Sequence, residues 1–264
     1  MTTYRVITNK SLPIGDGKPD IEIQDVIDAV SETNNYLLTL SELFIELDFD
    51  LFEVLGQRNL SGLIGEIFSV FLAKKSNFLL NNPHPDGRPD IIFCRNDVEL
   101  DYFTKGCFID VGDRKFPLKS ALAPYLYGGI EVKCTIGDPI KEYRKTIREE
   151  YNNVKENFEL YMPRVKYLKD LNWWAHHTHS SNLLGLYYDY YSKSNNLPQI
   201  LAVFNSELVQ TDWNKVSTGS SLGKKTSNTS LNKTGKQKMK TSCLCVIEDE
   251  IYIEKLQSIK VTIQ

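Results

Sequence analysis

The sequence has no apolar run that approaches the roughly twenty residues a helix needs to cross a bilayer. Residues 1–10 also lack the apolar segment and the small-residue cleavage site of a secretory signal peptide. We therefore expect a cytoplasmic protein that has no membrane among its partners.

Cysteines are few: the chain has five among 264 residues, and no two of them form a CxxC pair. An odd number of cysteines without paired spacing indicates neither a disulfide framework nor a zinc knuckle. We expect reduced, buried thiols at all five positions, which are Cys94, Cys107, Cys134, Cys243 and Cys245.

The chain also lacks an excess of basic residues, because its formal net charge is −3. This charge argues against a surface that is basic throughout, so any contact with DNA has to be local. The hydrophobic fraction of 41% and the charged fraction of 25% are ordinary for a globular protein and exclude the collagen-like and disordered classes. A chain of this length accommodates one large domain with elaborations.

The N-terminal part of the sequence has helical periodicity. Apolar residues recur at helical spacing from Ile21 to Leu55, and the pair Asn34-Asn35 predicts a break between two helices. The next helix, about Ser61 to Lys75, has one apolar stripe and a second stripe of small residues, with Glu66 on the small-residue side. Small residues let a helix approach its neighbour closely, so Glu66 is expected beside the following strands; the alternative is a solvated helix glutamate.

A later strand carries two charges on one face. In the segment from Gly129 to Cys134, alternation places Glu131 and Lys133 on one side and apolar residues on the other. Charges on a mostly buried strand are unfavourable unless a metal ion or an opposite charge neutralises them. The strand therefore predicts one face for chemistry and one for packing.

An aspartate precedes an earlier strand. Asp90 follows a proline and opens the apolar run Ile91–Phe93, so it is expected at the end of a strand. Asp86 also follows a proline, but Gly87 comes directly after it and indicates a turn, so Asp90 is the preferred candidate. The length of chain between Asp90 and Glu131 predicts an inserted hairpin or loop.

Short patterns predict the remaining elements. These are a strand at Val98–Phe103, a helix that starts at Asp138 and Pro139 and extends past Phe158, a strand pair at Leu183–Tyr190 and Pro198–Val203, and a C-terminal hairpin of Cys243–Ile247 and Ile251–Leu256. Three histidines, His176, His177 and His179, lack a distant third partner of metal-ligand type. Packing or DNA contact is favoured for them over a catalytic metal, and their role stays open.

The segment from Asn214 to Thr241 has seven lysines and no acidic residue. Its serine, threonine, asparagine and glycine content is typical of a flexible loop. The functional interpretation is an arm that contacts DNA phosphates, and the alternative is a solvated loop. The lysines proposed to bind DNA are Lys224, Lys225, Lys233, Lys236 and Lys238.

The Pro-Asp of Asp90, followed by the Glu-x-Lys of Glu131 and Lys133, resembles the active-site signature of the PD-(D/E)xK nuclease superfamily, and most of all its type II restriction endonucleases. The resemblance implies an α/β (α+β) fold with a restriction-endonuclease-like core, a central mixed sheet flanked by helices. The expected organisation is a single nuclease domain over residues 1–264, with a helical N-terminal region at 1–58, a catalytic core at 59–213, and a basic loop and C-terminal hairpin at 214–264.

The resemblance also implies a mechanism and partners. Asp90 and Glu131 would bind Mg²⁺, Glu66 would assist as a further catalytic carboxylate and metal ligand, and Lys133 would orient the attacking water or stabilise developing negative charge. The substrate would be double-stranded DNA, the working form a homodimer, and a companion DNA methyltransferase would act on the same site. A DNA repair or recombination nuclease of the same fold and a non-catalytic DNA-binding module remain alternatives.

Overall fold

The structure, a computed structural model, describes residues 2–14, 20–122, 129–139, 168–175, 182–216 and 229–263. Its strands, in chain order, are β1 (Tyr4–Val6), β2 (Leu79–Asn81), β3 (Ile91–Phe93), β4 (Phe108–Val111), β5 (Arg114–Pro117), β6 (Gly129–Thr135), β7 (Asp138–Pro139), β8 (Leu168–Asp170), β9 (Trp174–Ala175), β10 (Asn182–Tyr191), β11 (Leu197–Glu207), β12 (Thr229–Ser230) and β13 (Cys243–Ile247). Its helices are α1 (Ile23–Ile45), α2 (Leu51–Val54), α3 (Gln57–Ala73), α4 (Asp97–Asp101), α5 (Lys119–Leu122), α6 (Lys233–Lys240) and α7 (Glu250–Ser258).

Seven strands form one mixed sheet in the order β1-β13-β11-β10-β6-β3-β2. The pair β6–β10 is parallel, and the other neighbours in this sheet are antiparallel. A parallel pair requires a long crossover connection, and residues 136–181 make that connection here. At one edge, β1 pairs with β13, and Tyr4 lies opposite Ile247.

Helices cover both faces of the sheet. The apolar sides of α1 and α3 pack on one face, and α6 and α7 pack on the other. Strand β10 is buried on both faces: Leu184 and Leu186 contribute to the first core, whereas Leu183 and Tyr187 contribute to the second. A strand covered on both sides has a nearly continuous apolar sequence, which is why the strand pair β10–β11 was correctly predicted. The expected class, a mixed sheet flanked by helices, is confirmed.

None of the helices within the described ranges combines the length and apolar character that crossing a membrane requires.

The break predicted at Asn34-Asn35 is wrong, because α1 runs through both residues. Asn34 is buried, accepts a hydrogen bond from the Ile200 backbone N–H (2.8 Å), and donates to the Tyr4 hydroxyl (2.8 Å). Ile200 lies next to an irregularity in the β10–β11 register, where its pairing partner is Tyr188. Asparagine is unfavourable inside a helix because its amide competes with the backbone, but here a neighbouring strand satisfies that amide.

The strand predicted at Val98–Phe103 is also wrong. Asn96 caps the N-terminus of α4 by accepting a hydrogen bond from the Glu99 backbone N–H (3.0 Å), and a π-helical turn follows at Tyr102–Gly106. Phe103 is the buried residue of that turn. The insertion predicted between the strands of Asp90 and Glu131 is confirmed as the antiparallel hairpin β4–β5.

The C-terminal hairpin is half right, since β13 is a strand but the following segment is α7. Asp249 begins this helix by accepting a hydrogen bond from the Ile251 backbone N–H (3.2 Å). Tyr252, Ile253 and Leu256 are buried at helical spacing. The periodicity of a short apolar run is compatible with both a strand and a helix. Here the N-terminal cap stabilises the helix.

Two further predictions are corrected. Asp138 and Pro139 form β7, which pairs with β8, rather than the start of a helix; the helix predicted beyond them lies outside the described residues. The segment from Asn214 to Thr241 is not a loop throughout, because it contains β12 and α6. Asn232 caps α6 by accepting hydrogen bonds from the backbone N–H groups of the second and third helical residues.

Candidate active site

Pairing between β3 and β6 places Asp90 against the Glu-x-Lys strand. Ile91 lies opposite Ile130, so the antiparallel register brings the preceding residue, Asp90, beside Glu131. The Val132 backbone N–H donates a hydrogen bond to Asp90 Oδ2 (2.7 Å). The position of the aspartate is therefore fixed by the backbone of the neighbouring strand.

Gly129 makes this close pairing possible. Its φ angle is +124°, a conformation that side chains disfavour. A Cβ atom at this position would overlap the carbonyl oxygen of Ile91 on β3. The glycine that leads the strand is thus required by the approach of the two backbones.

Lys133 joins the two carboxylates. Its Nζ lies 3.1 Å from Asp90 Oδ2 and 2.8 Å from Glu131 Oε1, and it donates to the Val132 carbonyl oxygen (2.9 Å). The structure therefore brings together the three residues that the sequence motif singled out. Two carboxylates share one ammonium group, which leaves the cluster with a formal charge of −1.

One carboxylate oxygen of this cluster has no partner. Glu131 is 3% exposed, and its Oε2 atom is buried without a hydrogen-bond partner among the residues that the structure describes. An unsatisfied buried acceptor is unfavourable by about 1–3 kcal/mol, and more when the group is charged. A bound cation would satisfy this oxygen.

Burial and charge perturb the titration of the cluster. Burial raises the pKa of Asp90 above its ordinary value; the ammonium of Lys133 opposes this shift, and the charge of Glu131 adds to it. Burial alone would lower the pKa of Lys133, but the two carboxylates outweigh it and raise that pKa overall. Lys133 consequently stays protonated at neutral pH.

The donor set suits Mg²⁺. No group of three or more histidine, cysteine, aspartate or glutamate side chains in the described ranges is arranged to hold a metal ion. Mg²⁺ does not need one, because it commonly uses one or two carboxylates and completes its shell with water and substrate phosphate. Asp90 and Glu131, with the unsatisfied Glu131 oxygen, fit that pattern.

Glu66 lies where its helix was expected to carry it. Together with Asp90 and Lys133 it lines a cleft of about 250 Å³, whose α3 wall includes the small residues Gly62 and Gly65. Burial and the charge of Asp90 raise the pKa of Glu66, and Lys133 partly opposes this. Glu66 is exposed and lies at the side of this cleft, so its role as a metal ligand and the alternative of a solvated helix glutamate both stay predictions.

Asp86 lies apart from this cluster. Its side chain is 66% exposed and forms an ion pair with Lys119 (2.6 Å). That ion pair lowers the pKa of Asp86. Of the two Pro-Asp sequences, the one at Asp90 is the one that reaches the cleft.

The lysines predicted to bind DNA fall into three groups. Lys236 pairs with Asp170 (3.3 Å) and Lys238 pairs with the buried Asp212 (2.6 Å), so both are held in ion pairs within the protein. Lys233 is exposed and forms no ion pair with another described residue. Lys224 and Lys225 lie outside the described ranges, as do the three histidines at 176, 177 and 179.

The sequence interpretation missed a second cleft, of about 380 Å³, that adjoins the first. Arg58, Ser61, Cys134 and Trp174 line both clefts. The available signal was the pair Trp173-Trp174, because successive residues at the start of a strand face opposite sides, and here Trp173 is buried while Trp174 is exposed.

Comparison with known proteins finds no matching family model, no matching curated protein and no matching solved structure. The functional assignment is accordingly built on the cluster of Asp90, Glu131 and Lys133 and on the two clefts beside it.

Proposed function

We propose that this protein is a Mg²⁺-dependent nuclease that hydrolyses phosphodiester bonds of double-stranded DNA at a specific short site, most like a type II restriction endonuclease. The observation that carries the proposal is the cluster of Asp90, Glu131 and Lys133 on two paired strands, with one buried carboxylate oxygen left unsatisfied. Such an arrangement is unfavourable for folding and is explained by a bound cation.

Each residue has a role in this proposal. A bound Mg²⁺ supplies polarisation of the scissile phosphate and a lowered pKa for an attacking water. Asp90 and Glu131 hold the ion, and Glu66, across the cleft, assists directly or through water. Lys133, which stays protonated, orients the water or stabilises the negative charge that develops on the phosphate.

The order of elements supports a restriction-endonuclease-like core. Helix α3 precedes the antiparallel strands β2, β3 and β6, and the next strand of the sheet, β10, is parallel to β6. The superfamily resemblance implies such a helix-and-sheet core with catalytic residues on its central strands. A homodimeric state and a companion methyltransferase belong to the proposal as properties of the type II class.

Digestion of mixed-sequence plasmid DNA with Mg²⁺, followed by sequencing of the cut ends, tests the proposal. Discrete and repeatable ends are expected. Glu131→Gln and Lys133→Ala should abolish cutting while the proteins stay folded, and Asp86→Asn, the control at the exposed Pro-Asp, should cut like the wild type.

Other outcomes would change the assignment. Cleavage confined to branched or damaged DNA would indicate a repair or recombination nuclease of the same fold. Tight DNA binding without cleavage under any divalent ion would indicate a non-catalytic DNA-binding module. Cutting by Lys133→Ala at the wild-type rate would contradict the role given to Lys133.

A further inference from the structure

We propose that the second cleft binds one unpaired nucleobase of the DNA strand, with the Trp174 ring stacked on its face and the Asn172 amide hydrogen-bonded to its edge. This inference rests on the proposed function for the identity of the strand. It adds a base-binding site next to the phosphodiester site, and therefore a source of sequence preference.

Trp174 is an exposed ring on an anchored strand. It is 58% exposed, whereas its neighbours Trp173 and Ala175 are buried. Trp173 Nε1 donates to the Leu186 carbonyl oxygen (3.3 Å), and β9 pairs with β12, with Trp174 opposite Ser230. The strand is thus fixed while the ring faces the cleft, and a rigid exposed aromatic ring is the usual platform on which a base stacks.

Asn172 supplies an unsatisfied polar group in the same cleft. Its side-chain oxygen is buried and has no hydrogen-bond partner in the described part of the chain. A carboxamide offers two donors and an acceptor, which complement the donor and acceptor pattern on the edge of a base. A ligand that pairs with this amide would remove the desolvation penalty that the free protein carries.

Arg58 connects the base cleft to the catalytic cleft. It lies in the first turn of α3, is exposed, and forms no ion pair with another residue that the structure describes. It lines the cleft that contains Asp90 and Lys133 as well as the cleft that contains Asn172. A free guanidinium at this position suits the phosphate that joins the bound base to the scissile bond.

The size of the cleft sets a condition on the substrate. A space of about 380 Å³ is that of a small-molecule site, so it takes a single base and not a stacked base pair. The base must therefore be single-stranded already or leave the duplex stack. A duplex with one mismatch should bind more tightly than the fully paired duplex.

Binding measurements in Ca²⁺, which supports binding without cutting, test this directly. Fluorescence anisotropy would give the affinities of labelled single-stranded homopolymers of A, C, G and T. Trp174→Ala should weaken binding about tenfold or more, because loss of one base–aromatic stack has an effect of that order, whereas Trp174→Phe should stay within about threefold of the wild type. Asn172→Ala should change the ratios among the four homopolymers more than their mean affinity.

The matched control is Tyr36→Ala, which removes an exposed aromatic ring on α1, outside both clefts. It should bind all four homopolymers like the wild type. Quenching of tryptophan fluorescence by an added oligonucleotide is a second measurement, and it should disappear in Trp174→Phe. Trp174→Ala binding as tightly as Tyr36→Ala, with quenching retained in Trp174→Phe, would overturn the proposal.

The proposed base-binding site and the proposed nuclease activity can be tested independently of each other. Asp90→Asn should lose cutting, and Trp174→Ala should weaken homopolymer binding in the Asp90→Asn protein by the same factor as in the wild type. Weaker binding by Trp174→Ala in a protein that never cuts DNA would support the base site and reject the nuclease. Cutting that requires Asp90, together with unchanged cutting and binding by Trp174→Ala, would reject the base site and keep the nuclease.

Discussion

Lys133 occupies the position of a counter-ion for two carboxylates that otherwise repel each other. In the structure it lies within 3.1 Å of both Asp90 and Glu131. A divalent ion bound to the same carboxylates would neutralise them in its place. The proposed metal site can therefore be tested by protein stability, without any measurement of cleavage.

We expect Lys133→Met to be about 2–3 kcal/mol less stable than the wild type in EDTA, because Asp90 and Glu131 then repel each other with no cation between them. For a chain of this size the loss corresponds to a fall of roughly 5–10 °C in Tm. Saturating Mg²⁺ should restore most of it, since an ion that binds only the folded state stabilises that state. Differential scanning calorimetry with and without Mg²⁺ provides the measurement.

Lys119→Met is the matched control, because it removes the partner of the exposed Asp86. Its Tm should stay near that of the wild type and should respond to Mg²⁺ as the wild type does. Identical Tm values of Lys133→Met in EDTA and in Mg²⁺ would contradict metal binding by Asp90 and Glu131.

Helix α1 depends on a contact that its own sequence does not reveal. Asn34 provides hydrogen bonds to backbone groups of β11 at a place where the β10–β11 register is irregular. The helix and the sheet are therefore joined by a polar contact inside an apolar interface. Removal of that amide leaves the buried Ile200 backbone N–H without its partner.

Asn34→Ala should lower the free energy of unfolding by about 2 kcal/mol, because the buried Ile200 N–H loses its partner and the Tyr4 hydroxyl, which still donates to the Ile200 carbonyl oxygen, loses a donor. Asn35→Ala, the adjacent and exposed position, should change it by no more than about 0.5 kcal/mol. Urea denaturation of both variants measures the difference. Equal midpoints would mean that the Asn34 amide is not structurally important.

Helix α6 divides the basic segment into compensated and free charges. Lys236 and Lys240 share Asp170, and Lys238 pairs with Asp212. These acids come from distant parts of the sequence, and together they offset two of the four lysine charges of α6. Lys233 stays available for phosphate contact.

The salt dependence of DNA affinity should separate these lysines. Lys233→Ala should flatten the slope of log affinity against log salt by about 0.9, the value for one phosphate contact, and a Lys224/Lys225/Lys233 triple alanine by up to roughly 2–3. Lys236→Ala should change the slope much less, since Lys236 is only 23% exposed and is held in an ion pair with Asp170, which keeps Lys240 as a partner. Titrations in Ca²⁺ at several salt concentrations measure the slopes. Parallel lines for Lys233→Ala and the wild type would exclude phosphate contact by Lys233.

At the scale of the whole molecule, the features that could be predicted from the sequence are those that depend on a local pattern of residues. The continuous apolar runs of β10 and β11 and the spacing of Asp90, Glu131 and Lys133 were sufficient to predict a buried strand pair and one three-residue site. Helix α7 was wrongly predicted as a strand, because the spacing of apolar residues in a short run does not distinguish a helix from a strand.

The parts that the sequence did not predict depend on contacts between distant segments. Trp174 and Asn172 share their cleft with Arg58 of α3 and Cys134 of β6, which are distant from them in the sequence. The compensation of Lys238 by Asp212 depends on how α6 packs. Periodicity describes one element at a time, so it contains no information on either contact.

The pairing of β1 with β13 has a consequence for the chain during its synthesis. Strand β1 has its partner about 240 residues later in the chain, with Tyr4 opposite Ile247. At cellular rates of elongation, a delay on the order of ten seconds or more separates the two. Strands β3 and β6, which carry Asp90, Glu131 and Lys133, are complete long before that. The nascent chain therefore already holds Asp90, Glu131 and Lys133 while one edge of β11 still awaits β13.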